Sequence, residues 1–263
     1  MLCTLPWPNA SEHRASDNAF VEPAPGPFRV KHSQCRFAAN SLDRRQKNAV
    51  TPVGNEGQCG ACWAFSSTDT IEGAHAIATG KLVAVSQQQL MDCSVAQGNQ
   101  GCNGGLMDYA FTYVISNHGI TTEADYPYTA TGPNTCQTGK QAHHAVTISG
   151  FADVPKNQEA QLTAAVTRQP VSIAIDATQS SFQYYKSGVY MEPACGTQIC
   201  HALTIVGYNT TASKEDYWIV KNMWGTSWGM DGYILMARHV GAAGLCGINM
   251  IPSYPIVNHT AAA

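Results

Sequence analysis

From Cys62 the chain reads CWAFSSTDTIEGAHAIATG, in which Trp63, Phe65, Ile71, Ala74 and Ile77 recur at roughly helical intervals until Gly80 ends the run. The spacing predicts a helix that begins at Cys62. A second helix is predicted after Ser86, with Gln89 three residues on as a capping box ahead of Leu90 and Met91. A third is predicted in LMDYAFTYVISNHG, stopped by Gly119. After about residue 148 the texture changes. VTISGF, PVSIAIDA, HALTIVGYN, YWIVKNMW and GYILMAR are short runs rich in β-branched and aromatic residues and predict strands, with NQEAQLTAAVTRQ as one helical interruption. Helices followed by strands predict an α+β chain in two lobes with a cleft between them.

Residues 1–37 show neither period and are rich in Pro, Ser and Asn, so an irregular N-terminal segment is expected there. A chain of 263 residues, 44% apolar, can bury a substantial core. The net charge of −3, from 15 basic and 18 acidic residues scattered along the chain, gives no electrostatic reason to bind nucleic acid or an anionic membrane. No stretch approaches the 18 or so apolar residues of a membrane span, and residues 1–37 lack the apolar run of a signal peptide. Ten cysteines point to an oxidising compartment, and the sequons at Asn9, Asn209 and Asn258 fit that route.

A thiol at a helix N-terminus feels the positive end of the backbone dipole, which favours the thiolate, so Cys62 is placed to be a nucleophile. Alone, it would equally suit a small apolar filler. A thiolate attacking a carbonyl also needs an imidazole to protonate the leaving group and a third group to orient that imidazole. His201 opens the apolar run HALTIVGY, and Asn222 lies between strand and turn, where its amide can accept the second ring N–H. Cys59 and Cys62 also have the spacing of a thiol–disulfide redox pair. His143 and His144, expected on a strand, would point to opposite faces and have no further ligand at fitting spacing, so no metal is expected.

Together these stretches resemble the papain and cathepsin-L family of cysteine proteases, whose signature Cys-Gly-Ser/Ala-Cys-Trp stands here as CGACW, with His and Asn far downstream. The resemblance runs from about Leu42 to Ile256, through LDRRQKNAVTPV, GQCGACWAFS, LMDCS, GCNGGLMDYAF, YPYTA, QPVSIAIDA, CGTQICHAL, YWIVKNMWGTSWGMDGYI and CGINMIPSYPIV. It implies a papain-like two-lobed α+β fold within a peptidase domain over 38–263, with a helical lobe about 48–148 and a β-barrel-like lobe about 149–255. Carried over residue by residue, it makes Cys62 the nucleophile, His201 the general acid and base, and Asn222 the orienting residue, with Trp224 shielding the His–Asn contact and the Cys62 N–H as one oxyanion donor. It pairs Cys59 with Cys102, Cys93 with Cys136 and Cys195 with Cys246, which makes Cys59 structural and weakens the redox reading. Gly104 and Gly105 match a strand-like wall that pairs with an extended substrate. Leu106, Met107, Ala174, Ala202 and Ile251 would line the pocket for the second residue before the scissile bond, and their apolar character implies Leu, Val or Phe there. The implied partners are peptide or protein substrates and cystatin-like inhibitors, met by a monomer without cofactor in an extracellular or lysosomal/vacuolar compartment.

The chain also departs from the family pattern. Glu56 stands where the resemblance calls for a glutamine that is the second oxyanion donor, and a carboxylate has no proton to give. The expectation is an acid-active enzyme with a neutral Glu56, an impaired one, or a Glu56 turned to solvent with a neighbour such as Gln58 substituting. Cys200 before the histidine would put an oxidisable thiol near the site, Met223 replaces a small residue and Arg44 a tryptophan. Residues 1–37 contain nothing like the family's inhibitory proregion, and Cys3, Cys35 and Cys200 are left without assigned pairing. Besides the peptidase, a noncatalytic homologue that binds extended peptides in the Gly104–Gly105 cleft is therefore kept as the alternative.

Overall fold

A computed structural model describes residues 41–257. The expected irregular segment, Cys3 and Cys35, and the sequons at Asn9 and Asn258 lie outside the described residues.

After a two-residue strand β1 (Leu42–Asp43) and a 3-10 turn, the chain enters α1 (Cys62–Thr79), which starts where the spacing predicts and ends on Gly80 in the left-handed conformation. Most of α1 is buried, and its buried polar positions are the small residues Ser66, Ser67, Thr68 and Thr70 together with Asp69 and Glu72. A helix enclosed on all sides shows no clean apolar stripe. Its hydroxyls instead bond neighbouring backbone. α2 (Gln87–Cys93) is capped by Ser86, whose Oγ accepts from the Gln89 N–H at 2.9 Å. The return half of the capping box is not made. The Gln89 amide instead accepts from the Thr121 N–H at 2.8 Å and donates to the Tyr113 hydroxyl at 2.9 Å, tying α2 to α3 (Met107–Ser116). A short α4 (Thr138–Gln141) follows. Disulfides Cys59–Cys102 and Cys93–Cys136 staple these helices.

The second half supplies β2 (Gly150–Asp153), α5 (Glu159–Arg168), β3 (Val171–Ile175), α6 (Ser180–Gln183), β4 (Val189–Tyr190), β5 (His201–Thr210), β6 (Asp216–Lys221), β7 (Tyr233–Ala237) and β8 (Ser253–Ile256). Their order across the sheet is β2-β8-β3-β5-β6-β7-β4, with β1 added to β5, and every pairing is antiparallel except β4 with β7. The sheet is open rather than closed into the expected barrel. Closure would require β2 and β4, four and two residues long, to pair, and each has a single partner. Two local expectations also change. Of VTISGF only Gly150 and Phe151 enter a strand, because Val146 makes a lone bridge to Ile120 where the chain leaves the helical half. His143 and His144 lie exposed in a loop, not on a strand.

The two halves share one core because α1 lies directly on the sheet. Ser66 Oγ donates to the Leu203 carbonyl at 2.7 Å, and Ser172 Oγ donates to the Ser66 carbonyl at 3.0 Å, which sets the helix across β5 and β3. This docking brings the first residue of α1 beside the first residues of β5.

Candidate active site

Cys62 is the first residue of α1, 7% exposed, and the free cysteine among the described residues. Cys59, three positions earlier, is bonded to Cys102, which removes the redox pair. The backbone N–H of Ala202 points at the Cys62 sulfur, so the thiol sits at the head of β5 next to His201. Burial, and then the charge of Glu56, push the thiol up to about 12, while burial pushes the His201 imidazole down to about 4 against the pull of Asn222. Each group taken singly therefore rests neutral.

The ring of His201 is oriented by the fully buried Asn222, whose Oδ1 lies 2.9 Å from His201 Nε2. The same Oδ1 accepts from the Met223 N–H at 2.9 Å, so a backbone donor identifies it as the oxygen. In the neutral imidazole Nε2 must then carry the proton, and Nδ1 is left as the base. Asn222 Nδ2 has no partner among the described residues, so the amide serves through its oxygen alone. Trp224 stacks on His201 with ring centroids 4.8 Å apart, covering one face of the imidazole.

Glu56 does not turn to solvent: it is 2% exposed, whereas Gln58 is exposed. Its backbone is pinned by a bond from the Glu56 N–H to the Met223 carbonyl at 2.9 Å and one from the Tyr128 hydroxyl to the Glu56 carbonyl at 2.8 Å. Its carboxylate sits at the head of α1. Oε1 accepts from Trp224 Nε1 at 2.8 Å, Oε2 accepts from the Ala61 N–H at 3.1 Å, and the Cys62 N–H donates to the same carboxylate. Ala61 gives α1 no side-chain cap, and the carboxylate occupies that position. Burial pushes the carboxyl up to about 7, opposed by these N–H donors.

Of the glycine pair, Gly105 is buried, and a Cβ there would come within 2.3 Å of Asn99 Oδ1 and 2.7 Å of the Trp63 ring. Gly104, at φ +107°, has open space where a Cβ would stand; its N–H donates to the Gly101 carbonyl at 3.3 Å and its carbonyl accepts from the Gln100 N–H at 2.9 Å. Ala174 and Ala202 are direct partners across β3 and β5, and together with Met107 they are buried in the common core. Leu106 and Ile251 are partly exposed. Three bridges join described residues, Cys59–Cys102, Cys93–Cys136 and Cys195–Cys246. One other expectation is corrected. Cys200 is disulfide-bonded, so it adds no second oxidisable thiol beside His201. Arg44, in place of a tryptophan, reaches the Thr167 carbonyl on α5 and lies near Tyr208 of β5. Sequence reasoning gave no role to Ala61 and Tyr128, because a backbone N–H and a tyrosine four elements distant carry no local signal for holding Glu56.

Residues 38–256 match the papain family of cysteine proteases. Vignain of Ricinus communis is 53% identical over 217 residues, covering 82% of this chain and 59% of its own length. The cathepsin L-like peptidase of Aedes aegypti is 50% identical over 219 residues, 82% of this chain and 63% of that protein. The chain thus spans about three-fifths of the length of these curated relatives. Among solved structures, the bromelain protease of Ananas comosus in an inhibitor complex aligns with a TM-score of 0.79 at 44% identity, over 83% of this chain and 99% of that one. A ragweed pollen allergen cysteine protease in its proform aligns with a TM-score of 0.81 at 44% identity, over 86% and 69%. With a match that covers nearly every described residue and relatives at about half identity, the chain belongs to the papain family of cysteine proteases.

Proposed function

We propose that the chain is a cysteine endopeptidase. His201 Nδ1 takes the proton of the Cys62 thiol, and the sulfur attacks the substrate carbonyl carbon. The C–N bond then breaks, with the His201 proton leaving on the amine, and water cleaves the thioester to return acid and thiol. Burial disfavours either charge alone, but the proton transfer creates both together, so their mutual attraction offsets the desolvation. The observation that carries this reading is the Asn222 oxygen: held by the Met223 N–H, it leaves the His201 base on the nitrogen away from Asn222.

Gly104 and Gly105 form the wall against which an extended substrate would align, and Leu106, Met107, Ala174, Ala202 and Ile251 favour an apolar side chain in the second position before the cut. Peptide and protein substrates, and cystatin-like inhibitors entering the same cleft, are the partners of this reading, for a monomer. Disulfide bridges support an extracellular or lysosomal/vacuolar compartment for this reading. No helix among the described residues is long and apolar enough to cross a membrane. The test is labelling by a peptide epoxide or vinyl sulfone, with the adduct mapped. Modification of Cys62, together with a library preference for Leu, Val or Phe, is the expected result. A preference for Arg at that position overturns the pocket assignment.

A second reading, a noncatalytic homologue that binds extended peptides, is favoured by the Glu56 carboxylate at the Ala61 and Cys62 N–H groups. Peptide binding without labelling at any pH between 4 and 8 would establish it.

A further inference from the structure

We propose that Glu56 is a proton-operated gate on the oxyanion site: neutral, it donates its O–H to the tetrahedral oxyanion, and ionised, it occupies the head of α1 and shuts that site. This rests on the peptidase reading and goes beyond it. An oxyanion formed on a carbonyl attacked by Cys62 would be stabilised by the Cys62 N–H and the positive end of α1. In this chain a carboxylate already holds that place. It accepts from the Cys62 and Ala61 N–H groups on one side and from Trp224 Nε1 on the other. The ionised side chain therefore resembles the oxyanion in charge and in partners. A second anion arriving there meets like charge and a donor already in use, and the same anion opposes formation of the Cys62 thiolate.

A proton on the carboxyl reverses both effects. The neutral acid has an O–H to give, takes the place of an amide donor, and demands fewer N–H bonds, so the Cys62 N–H is released to the substrate. No bond to Glu56 forms or breaks during acyl transfer; its proton is shared with the oxyanion, while the protons of the thiol and the leaving amine pass through His201.

The groups facing Glu56 leave it as the one that changes near neutrality. Cys62 on α1 is pushed up and so stays protonated at rest, and Tyr128, from the loop after α3, is pushed up by burial and by Glu56 itself. His201 on β5, behind Trp224, titrates well below. No ion pair holds Glu56 among the described residues. Its own titration near 7 places the closing of the gate at the neutral border.

The experiment is kcat/KM for a fluorogenic peptide from pH 4 to 9 with the purified protein, Glu56→Gln and Glu56→Ala, alongside probe labelling of Cys62 and thermal unfolding of each. The expected wild-type profile falls about tenfold per pH unit above the Glu56 titration. Glu56→Gln, a permanent donor, loses that limb and exceeds the wild type about 10- to 100-fold at pH 9, while Glu56→Ala is about 10²–10³-fold slower than the wild type at pH 5. Superimposable profiles for the wild type and Glu56→Gln overturn the gate and leave the peptidase standing. Absence of hydrolysis and of Cys62 labelling in both, at every pH, overturns the peptidase reading and the gate with it. Should Glu56→Ala fail to fold, the alkaline limb of Glu56→Gln alone decides.

Discussion

The head of α1 and its middle both bury carboxylates, and they hold them in opposite ways. In the middle, Asp69 accepts from Lys221 Nζ at 2.6 Å, and that lysine, 2% exposed, also donates to the Thr51 hydroxyl at 3.2 Å. Burial works against both charges, but Asp69 and Glu72 hold Lys221 protonated. One cation serves two acids, so the second gives way. Glu72, which accepts from the Val85 N–H at 2.9 Å and from Thr51, is pushed up to about 8 by burial and then by the Asp69 charge. At the head, Glu56 has only N–H donors and no cation among the described residues. Burial raises a carboxyl in either place, and at Asp69 the charge and hydrogen bond of Lys221 oppose that rise. The middle of the helix is thus a structural ion pair, and its head is a group that answers to pH.

The most severe way to break this contrast is at the sulfur. Cys62→Ala is expected to lower kcat by about 10⁵-fold or more with no loss of fold, measured by peptide hydrolysis and circular dichroism. Residual hydrolysis near the wild-type rate would remove the chemistry from the head of the helix. Next, Lys221→Met leaves Asp69 buried and unpaired and should cost about 3–5 kcal/mol in urea unfolding, without moving the pH limb of activity. A cost below about 1 kcal/mol would mean that the ion pair is not structural.

Trp224→Phe keeps a ring against His201 but removes the Nε1 donor to Glu56. A hydrogen bond to a charged group contributes about 1.5–3 kcal/mol, or roughly one to two pH units. The donor favours the anion, so its loss raises the Glu56 pKa, and the alkaline limb should move to higher pH by about that much. A shift to lower pH would contradict the arrangement. The smallest effect is expected for Glu72→Gln. Glu72 titrates at about 8 in the fold against an ordinary value of 4.5, so its stabilisation is fully present below about 4.5 and lost as pH rises towards 8. The variant should flatten the fall in Tm across that window; an unchanged slope would assign the pH dependence elsewhere.

Local physics made much of this molecule legible. Helical spacing and Gly80 bounded α1 from Cys62, Ser86 capped α2, and the β-rich runs became β3, β5, β6 and β7, because these signals act within a few residues. The short strands β1, β4 and β8 escaped notice, since two to four residues carry too little pattern. VTISGF had the composition of a strand but lacked a neighbour to pair with over most of its length. At the site, residue types made Cys62, His201 and Asn222 candidates, and the family resemblance gave them roles and marked Glu56 as an anomaly.

The order of residues along the chain was thus sufficient for the helix start and the α+β division, which depend on near neighbours, while the roles of the chemistry-bearing side chains came from the family resemblance. It left undetermined which way Glu56 faces, that Arg44 reaches α5, that Cys200 is bonded, and that the sheet stays open. Those outcomes depend on contacts between segments far apart in sequence. Glu56 meets Trp224 across 168 positions and Asp69 meets Lys221 across 152, and whether a buried acid keeps its proton follows from which donor or cation the folded chain brings to it.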